Sequence, residues 1–224
     1  HGWVFAPNGN LLDVPMAEHE CPAKDRLGLK RATVDQYRGF IFATFNAQPE
    51  PLLAHLGNAT AVLDRQCTLS PVGEIALRRP NIKHLFRANW KMLSENEADG
   101  YHVGFVHDSF TKGIMLKGKY NNILSGQEEK ITATVRYLGN GHTELDYGPT
   151  YDSPLMWLGV QADRYPEYTE AMTKAYGPDR AYEAMRCGPP HSFIFPNLFL
   201  AETSLVIIQP VAVGETIKWH TPRY

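Results

Sequence analysis

Residues 130–137 alternate without a break: Ile131, Ala133, Val135 and Tyr137 fall on one face, and Thr132, Thr134 and Arg136 on the other. A period of two belongs to a strand. Asn140-Gly141 follows, a dipeptide suited to the positive φ angles of a tight hairpin turn. Residues 142–147 then read as the returning strand. A hairpin written this plainly commits the chain to an antiparallel sheet rather than to a helical bundle.

The rest of the chain supplies more strands and a few helices. Residues 3–5 and 11–14 flank the turn signal Pro7-Asn8-Gly9-Asn10 and read as a hairpin; 32–34 and 38–45 read as two further strands. Pro49 and Pro51 disfavour regular structure, so 46–51 reads as a linker, dividing a domain over 1–49 from one over 50–224. Beyond it the pattern gives a short helix at 52–63, strands within 74–88, one long helix over 89–107, and strands at 192–200, 204–213 and 216–220. Pro166 opens a helix over 166–175, and Gly177-Pro178 separates it from a second over 179–186. The expected class is α+β with a mainly antiparallel sheet.

Composition narrows the function classes. Hydrophobic residues make up 43% and charged residues 21% of the 224, which is ordinary for a globular chain. The net charge of −2 gives no basic footprint for nucleic acid. No apolar run approaches a membrane span, so neither nucleic acid nor membrane is expected as a partner. Cys21, Cys67 and Cys187 are odd in number and form no Cys-x-x-Cys pair, which fits a reducing cytoplasm. The chain opens on His1 rather than Met and runs directly into strand-like sequence, so it reads as a fragment of a longer protein.

The densest polar cluster falls inside 89–107. Glu95, Asp99 and His102 are spaced i, i+4 and i+7, which places them on one face of a continuous helix. The plain reading is a solvated helix face. Three features argue for more. His102 and His107 are five apart, about 140° on an ideal helix; to meet one metal the helix must end, widen or kink, and Gly100 and Gly104 weaken it there. Asp99 precedes His102 by one turn, within reach of the ring nitrogen not used for metal. Tyr101, Val103, Phe105 and Val106 suggest a buried setting for both Asp99 and the histidines. Two imidazoles and a carboxylate with open positions suit non-haem Fe(II) that activates O2.

At the other end, His1-Gly2-Trp3 matches the close of Cys-x-x-His-Gly-Trp, the second ligand pair of a Rieske cluster, in which two cysteines and two histidines hold the irons. Together with Asn89-Trp90-Lys91, Glu95-Asn96, Asp99-Gly100-Tyr101-His102 and His107, and with Tyr37-Arg38-Gly39-Phe40-Ile41-Phe42, Phe195-Pro196-Asn197 and Gln209-Pro210, the chain resembles the large (alpha) subunit of Rieske non-haem iron ring-hydroxylating oxygenases along essentially its whole length. The form Glu-Asn-x-Ala-Asp-Gly-Tyr-His is most similar to the branch acting on benzoate and related acids.

The resemblance implies a fold and a mechanism. Residues 1–49 would be the C-terminal part of an all-β Rieske domain. Residues 50–224 would be part of a helix-grip catalytic domain, an antiparallel sheet around a long helix with an apolar cavity. Electrons would pass from NADH through a reductase, with or without a ferredoxin, to a [2Fe-2S] cluster and on to a mononuclear Fe(II). There O2 would hydroxylate an aromatic substrate, typically to a cis-dihydrodiol. His1 would be a Rieske ligand, and His102 and His107 ligands of the catalytic iron. Asp99 would bridge to the cluster of a neighbouring subunit, and Asn96 would lie near the iron. Val103, Phe195 and Asn197 would line the substrate pocket. Other alpha subunits, in a trimer, and beta subunits would be partners.

The chain lacks the remaining cluster ligands, and the family's third iron ligand, an Asp, is expected beyond Tyr224. Asp146, Asp152, Asp163 and Asp179 read instead as turn or helix-cap residues. Two other readings compete. A non-catalytic helix-grip module for apolar ligands would make His102 and His107 ordinary histidines. A zinc hydrolase would need a third protein ligand and a general base, and no His-x-x-x-His spacing offers them.

Overall fold

The computed structural model describes residues 2–15, 23–79, 81–107, 109 and 133–223. They form two compact units, 1–55 and 56–224. His1 lies outside the described residues, as do 130–132 of the alternating segment and Cys21.

The first unit holds two hairpins. Val4–Phe5 (β1) pairs antiparallel with Leu11–Asp13 (β2), and Thr33–Tyr37 (β3) with Phe40–Thr44 (β4).

In the second unit the described strands form a seven-stranded sheet. Its order is β5 (Ile82–Phe86), β11 (Glu215–Pro222), β10 (Ser204–Ala212), β9 (Leu198–Leu200), β8 (His191–Ile194), β7 (His142–Asp146) and β6 (Thr134–Gly139). Every pairing is antiparallel. Asn140 at φ 50° and Gly141 at φ 82° make the β6–β7 turn, which is why the alternating segment continues as a hairpin. Trp90 and Leu93 of helix α3 (Trp90–Ala98) pack on the sheet against buried Phe193, Phe199, Val206 and Ile208. A separate core gathers Leu155 with Met172 of α5 (Pro166–Tyr176) and with Ala181 and Met185 of α6 (Pro178–Cys187). The first begins at the expected Pro166, and the second, expected over 179–186, takes in Pro178 at its start and Cys187 at its end. No helix among the described residues is long and apolar enough to cross a membrane.

Several expected elements are divided. The helix expected at 52–63 is two, α1 (Leu52–Leu56) and α2 (Ala59–Cys67), because Gly57 takes φ 48° between them. Among the described residues of 74–88 only Ile82–Phe86 is a strand, and Leu77 forms a lone bridge to Arg223. The run expected at 192–200 is interrupted by a turn at 195–197, making β8 and β9 an antiparallel pair. The long helix at 89–107 is two pieces, α3 and the single turn α4 (Val103–Val106).

Candidate metal centre

Helix α3 is anchored where it begins. Asn89 caps it: Oδ1 accepts from the Lys91 N–H at 3.1 Å, and Nδ2 donates to the Val213 carbonyl at 2.7 Å. The Thr216 hydroxyl donates to the Ala88 carbonyl at 2.9 Å. These contacts fix the helix start against the β10–β11 turn, while Trp90 and Leu93 hold its apolar side on the sheet.

The helix stops at Ala98. Asp99 is extended, at φ −96° and ψ 104°, and its Oδ1 accepts from the Tyr101 N–H at 2.8 Å. A short polar side chain that captures a nearby backbone N–H competes with the helical hydrogen bond. Gly100 has a steric role at this bend. A Cβ there would lie 3.1 Å from Leu145 Cδ1 and 3.4 Å from the Tyr147 hydroxyl. Glu95, Asp99 and His102 therefore do not share one helical face.

The break brings the two histidines together. His102 stands before α4 and His107 after it, and the ring centroids are 5.3 Å apart. His102 Nδ1–H donates to Asp99 Oδ2 at 3.1 Å, leaving Nε2 as the ring nitrogen that can take a metal. The Tyr101 N–H lowers the Asp99 carboxyl, burial opposes it, and His102 lowers it further.

Other expectations for this segment are corrected. The Asp99 side chain is 47% exposed, not buried, although Gly100 beside it packs against Leu145 and Tyr147. Tyr101 and Phe105 are 80% and 71% exposed and lie tilted against each other with centroids 5.5 Å apart, and Val106 is exposed too. The apolar residues around the histidines thus form an open face in this chain. His102 itself keeps only 17% of its side chain in solvent. Asn96 lies on the exposed side of α3, its carbonyl accepting from the Asp99 N–H. Val103 belongs to α4. Phe195 and Asn197 occupy the β8–β9 turn, with Phe195 6.4 Å from the Trp90 ring and the Asn197 carbonyl accepting from the Ile208 N–H.

The sequence did not reveal the polar groups beside this segment. His191 Nε2 meets Glu202 Oε1 at 2.5 Å. Burial would pull the His191 ring down, but Glu202 overrides it and raises the ring. Burial likewise pushes Glu202 up, and His191 overrides it and lowers the carboxyl. Glu97, raised by burial, faces Lys218 Nζ at 3.9 Å. The Tyr147 ring stands edge-on to His191 at 6.0 Å; its hydroxyl is buried and has no partner among the described residues. Asp146, read from sequence as a turn or cap residue, does hold a turn, its Oδ1 accepting from the Gly148 N–H at 2.9 Å, and is also a buried ion-pair partner. Its two oxygens accept from Arg65 Nη1 and Nη2, each at 3.0 Å, and Arg65 also donates to the Gly188 and Cys187 carbonyls.

In the second unit a helix lies on an antiparallel sheet and ends where two imidazoles and a carboxylate come together. Residues 68–221 match the family of the ring hydroxylating alpha subunit (catalytic domain), and the chain belongs to that family. It is 30% identical over 233 residues to the anthranilate 1,2-dioxygenase large subunit of Acinetobacter baylyi, across 96% of this chain and 48% of that protein. It is 35% identical over 228 residues to the toluate 1,2-dioxygenase subunit alpha of Pseudomonas putida, across 96% and 49%. Among solved structures, naphthalene 1,2-dioxygenase with indole bound in the active site superposes with a TM-score of 0.72 at 26% identity, over 100% of this chain and 51% of that one. The chain spans about half the length of the curated relatives it matches.

Proposed function

We propose that this chain is part of the oxygenase component of a multicomponent dioxygenase, which uses O2 to hydroxylate an aromatic substrate to a cis-dihydrodiol. Residues 1–49 belong in this reading to the Rieske domain, with His1 a ligand of its [2Fe-2S] cluster, and 50–224 to the catalytic domain. The observation that carries the proposal is the His102–His107 pair, 5.3 Å between centroids, with Asp99 on the far nitrogen of His102. That donor set fits two ligands of a ferrous site built from two imidazoles and one carboxylate. The third ligand is assigned, on the family resemblance, to an Asp in the part of the relatives' length that this chain does not span.

Ferrous iron, when bound, supplies the O2 chemistry. The chain's own residues do the positioning. Asp99 accepts the His102 Nδ1 proton and thereby fixes Nε2 as the metal-facing nitrogen. The bend at 99–102 and the single turn of α4 turn His107 toward His102. The exposed Asp99 carboxylate is also available to a neighbouring subunit, which supports its assignment as the bridge for incoming electrons. Asn96 is assigned to the surroundings of the iron without ligating it, and Val103, Phe195 and Asn197 to the substrate pocket. An NADH-dependent reductase, with or without a ferredoxin, is the implied electron source. Trimeric alpha subunits, with or without beta subunits, are the implied assembly, and the cytoplasm is the implied location.

The test is isotopic. Full-length protein, supplied with NADH, a matched reductase, a panel of aromatic acids and hydrocarbons and 18O2, is expected to give a cis-dihydrodiol carrying two labelled oxygens from at least one substrate. Reversible binding of those compounds without oxygen uptake would instead support the non-catalytic binding module.

A further inference from the structure

Tyr147 carries a hydroxyl that the iron reading does not use. It follows strand β7, and its ring stands edge-on to His191 with centroids 6.0 Å apart. The hydroxyl reaches under the 99–102 bend, 3.4 Å from where a Cβ on Gly100 would lie. One side chain thus spans the space between His191 and the segment that carries His102. The hydroxyl is buried and has no hydrogen-bond partner among the described residues. A buried polar group left unpaired costs about 1–3 kcal/mol, so this hydroxyl gives the fold nothing that a phenylalanine would lack.

Behind it stands an ion pair with access to solvent. His191 Nε2 meets Glu202 Oε1 at 2.5 Å. Glu202 keeps 34% of its side chain in solvent and lines a cavity of about 540 Å³ among the α2–β5 connection, residues 155–168 and the β9–β10 turn. Arg223 on the same wall is drawn chiefly to Glu202. His191 is faced by Glu202 from that turn, by the rings of Tyr147 and of Phe199 on β9, and by Glu97 of α3, which also feels Lys218 and His102. Burial would lower the His191 ring, but Glu202 and then Glu97 raise it above 6.5, so it holds a proton near neutral pH. Burial, with Glu202 and Asp99, raises the Tyr147 phenol, which keeps its own proton. A row of groups that can each take and give a proton runs from the cavity to the bend beside His102.

On the oxygenase reading, on which this rests, we propose that Glu202, His191 and the Tyr147 hydroxyl form a proton line from the cavity to the imidazole pair. Cis-dihydroxylation adds both atoms of O2 to the ring and takes up two electrons and two protons. NADH gives both electrons and releases one proton to solvent, so each turnover draws one further proton from solvent. The Tyr147 O–H bond breaks as its proton passes to an oxygen atom that ends as a hydroxyl of the diol, and a new O–H bond forms with a proton from His191. The hydroxyl and His191 are not bonded directly, and a bridging water completes the line between them. His191 recovers its proton from Glu202, which takes one from water in the cavity, and the line returns to its starting charge.

Tyr147→Phe removes the hydroxyl and keeps the ring. In full-length protein supplied with NADH, a matched reductase and naphthalene or sodium benzoate, it is expected to lower kcat by at least about tenfold; a positioned proton donor contributes about 10²–10⁴-fold, and water in place of the hydroxyl recovers part of that. Its thermal midpoint is expected to be no lower than that of wild type. Glu202→Gln tests the inner end of the line. In iron-free full-length protein carrying 15N-labelled histidine, the NMR titration midpoint of His191 is expected to fall toward 6.5 in this variant, and the alkaline fall in kcat of the loaded enzyme to move to lower pH by the same amount. A merely structural contact would slow turnover without moving that fall. Wild-type kcat in Tyr147→Phe, or a kcat profile that stays in place while the NMR midpoint falls, would overturn the proposal and leave the oxygenase reading intact. A wild-type protein that forms no labelled diol from any aromatic compound would fail that reading, and the proton line with it.

Discussion

Glu202→Gln isolates the contact that sets the electrostatics beside the candidate metal centre. The wild-type pair is a 2.5 Å contact between a ring that keeps 23% of its surface and a carboxylate that keeps 34%. A hydrogen bond to a charged partner contributes about 1.5–3 kcal/mol, and solvent at Glu202 trims that toward about 2 kcal/mol. For a chain of this size each kcal/mol moves Tm by about 2–4 °C, so a fall of about 4–8 °C is expected.

The pH dependence is more telling than the size. His191 is raised above its ordinary 6.5, so its contribution is complete below that pH and is lost as pH rises through the folded value. Glu202 is lowered from its ordinary 4.5, so its contribution is present above that pH and is lost as pH falls through the folded value. The Tm gap between wild type and variant should therefore be widest between about pH 4.5 and 6.5 and narrow on both sides. Thermal unfolding by circular dichroism from pH 4 to 9 measures it. A gap independent of pH, or no gap at pH 5.5, would refute the reasoning.

Three further outcomes follow from other contacts. Asp146→Asn leaves Arg65 without its two-point partner and should cost about 3 kcal/mol, the low end for a broken buried pair, since Arg65 keeps 24% of its side chain in solvent; chemical denaturation would read it. Because Arg65 outweighs burial and lowers the Asp146 carboxyl from 3.8, that contribution should be present above pH 3.8 and vanish as pH falls below it. Asn89→Ala removes the α3 cap and the tie to Val213, and should lower stability by about 1 kcal/mol; an unchanged denaturation midpoint would contradict that role.

The hairpin of β6 and β7 was legible because alternation and an Asn-Gly turn are local signals. The helix starting at Pro166 is legible for the same reason, a proline at its first turn, and the break before the next helix is marked by Gly177-Pro178. The convergence of His102 and His107 was legible only as a requirement that the helix break. Where it breaks depends on Asp99 capturing the Tyr101 N–H and on the space under Gly100, which Leu145 and Tyr147 take up from a distant strand. Periodicity records neither, so 89–107 read as one helix. Arg65–Asp146 and His191–Glu202 were illegible for a related reason. Arg65 and Asp146 are 81 residues apart, and His191 and Glu202 meet at the open end of the β8–β9 pair, whose register no local pattern announces. The exposure of Asp99 is not legible because its apolar neighbours suggest burial, whereas Tyr101 and Phe105 lie tilted against each other in the open.

The central claim is that His102 and His107 hold one iron. Metal analysis of full-length wild-type protein beside His102→Ala and His107→Ala, with the Rieske absorbance recorded on the same samples, tests it most directly. The account predicts that each variant loses its mononuclear iron while the cluster absorbance persists. Full iron occupancy in both variants would contradict it.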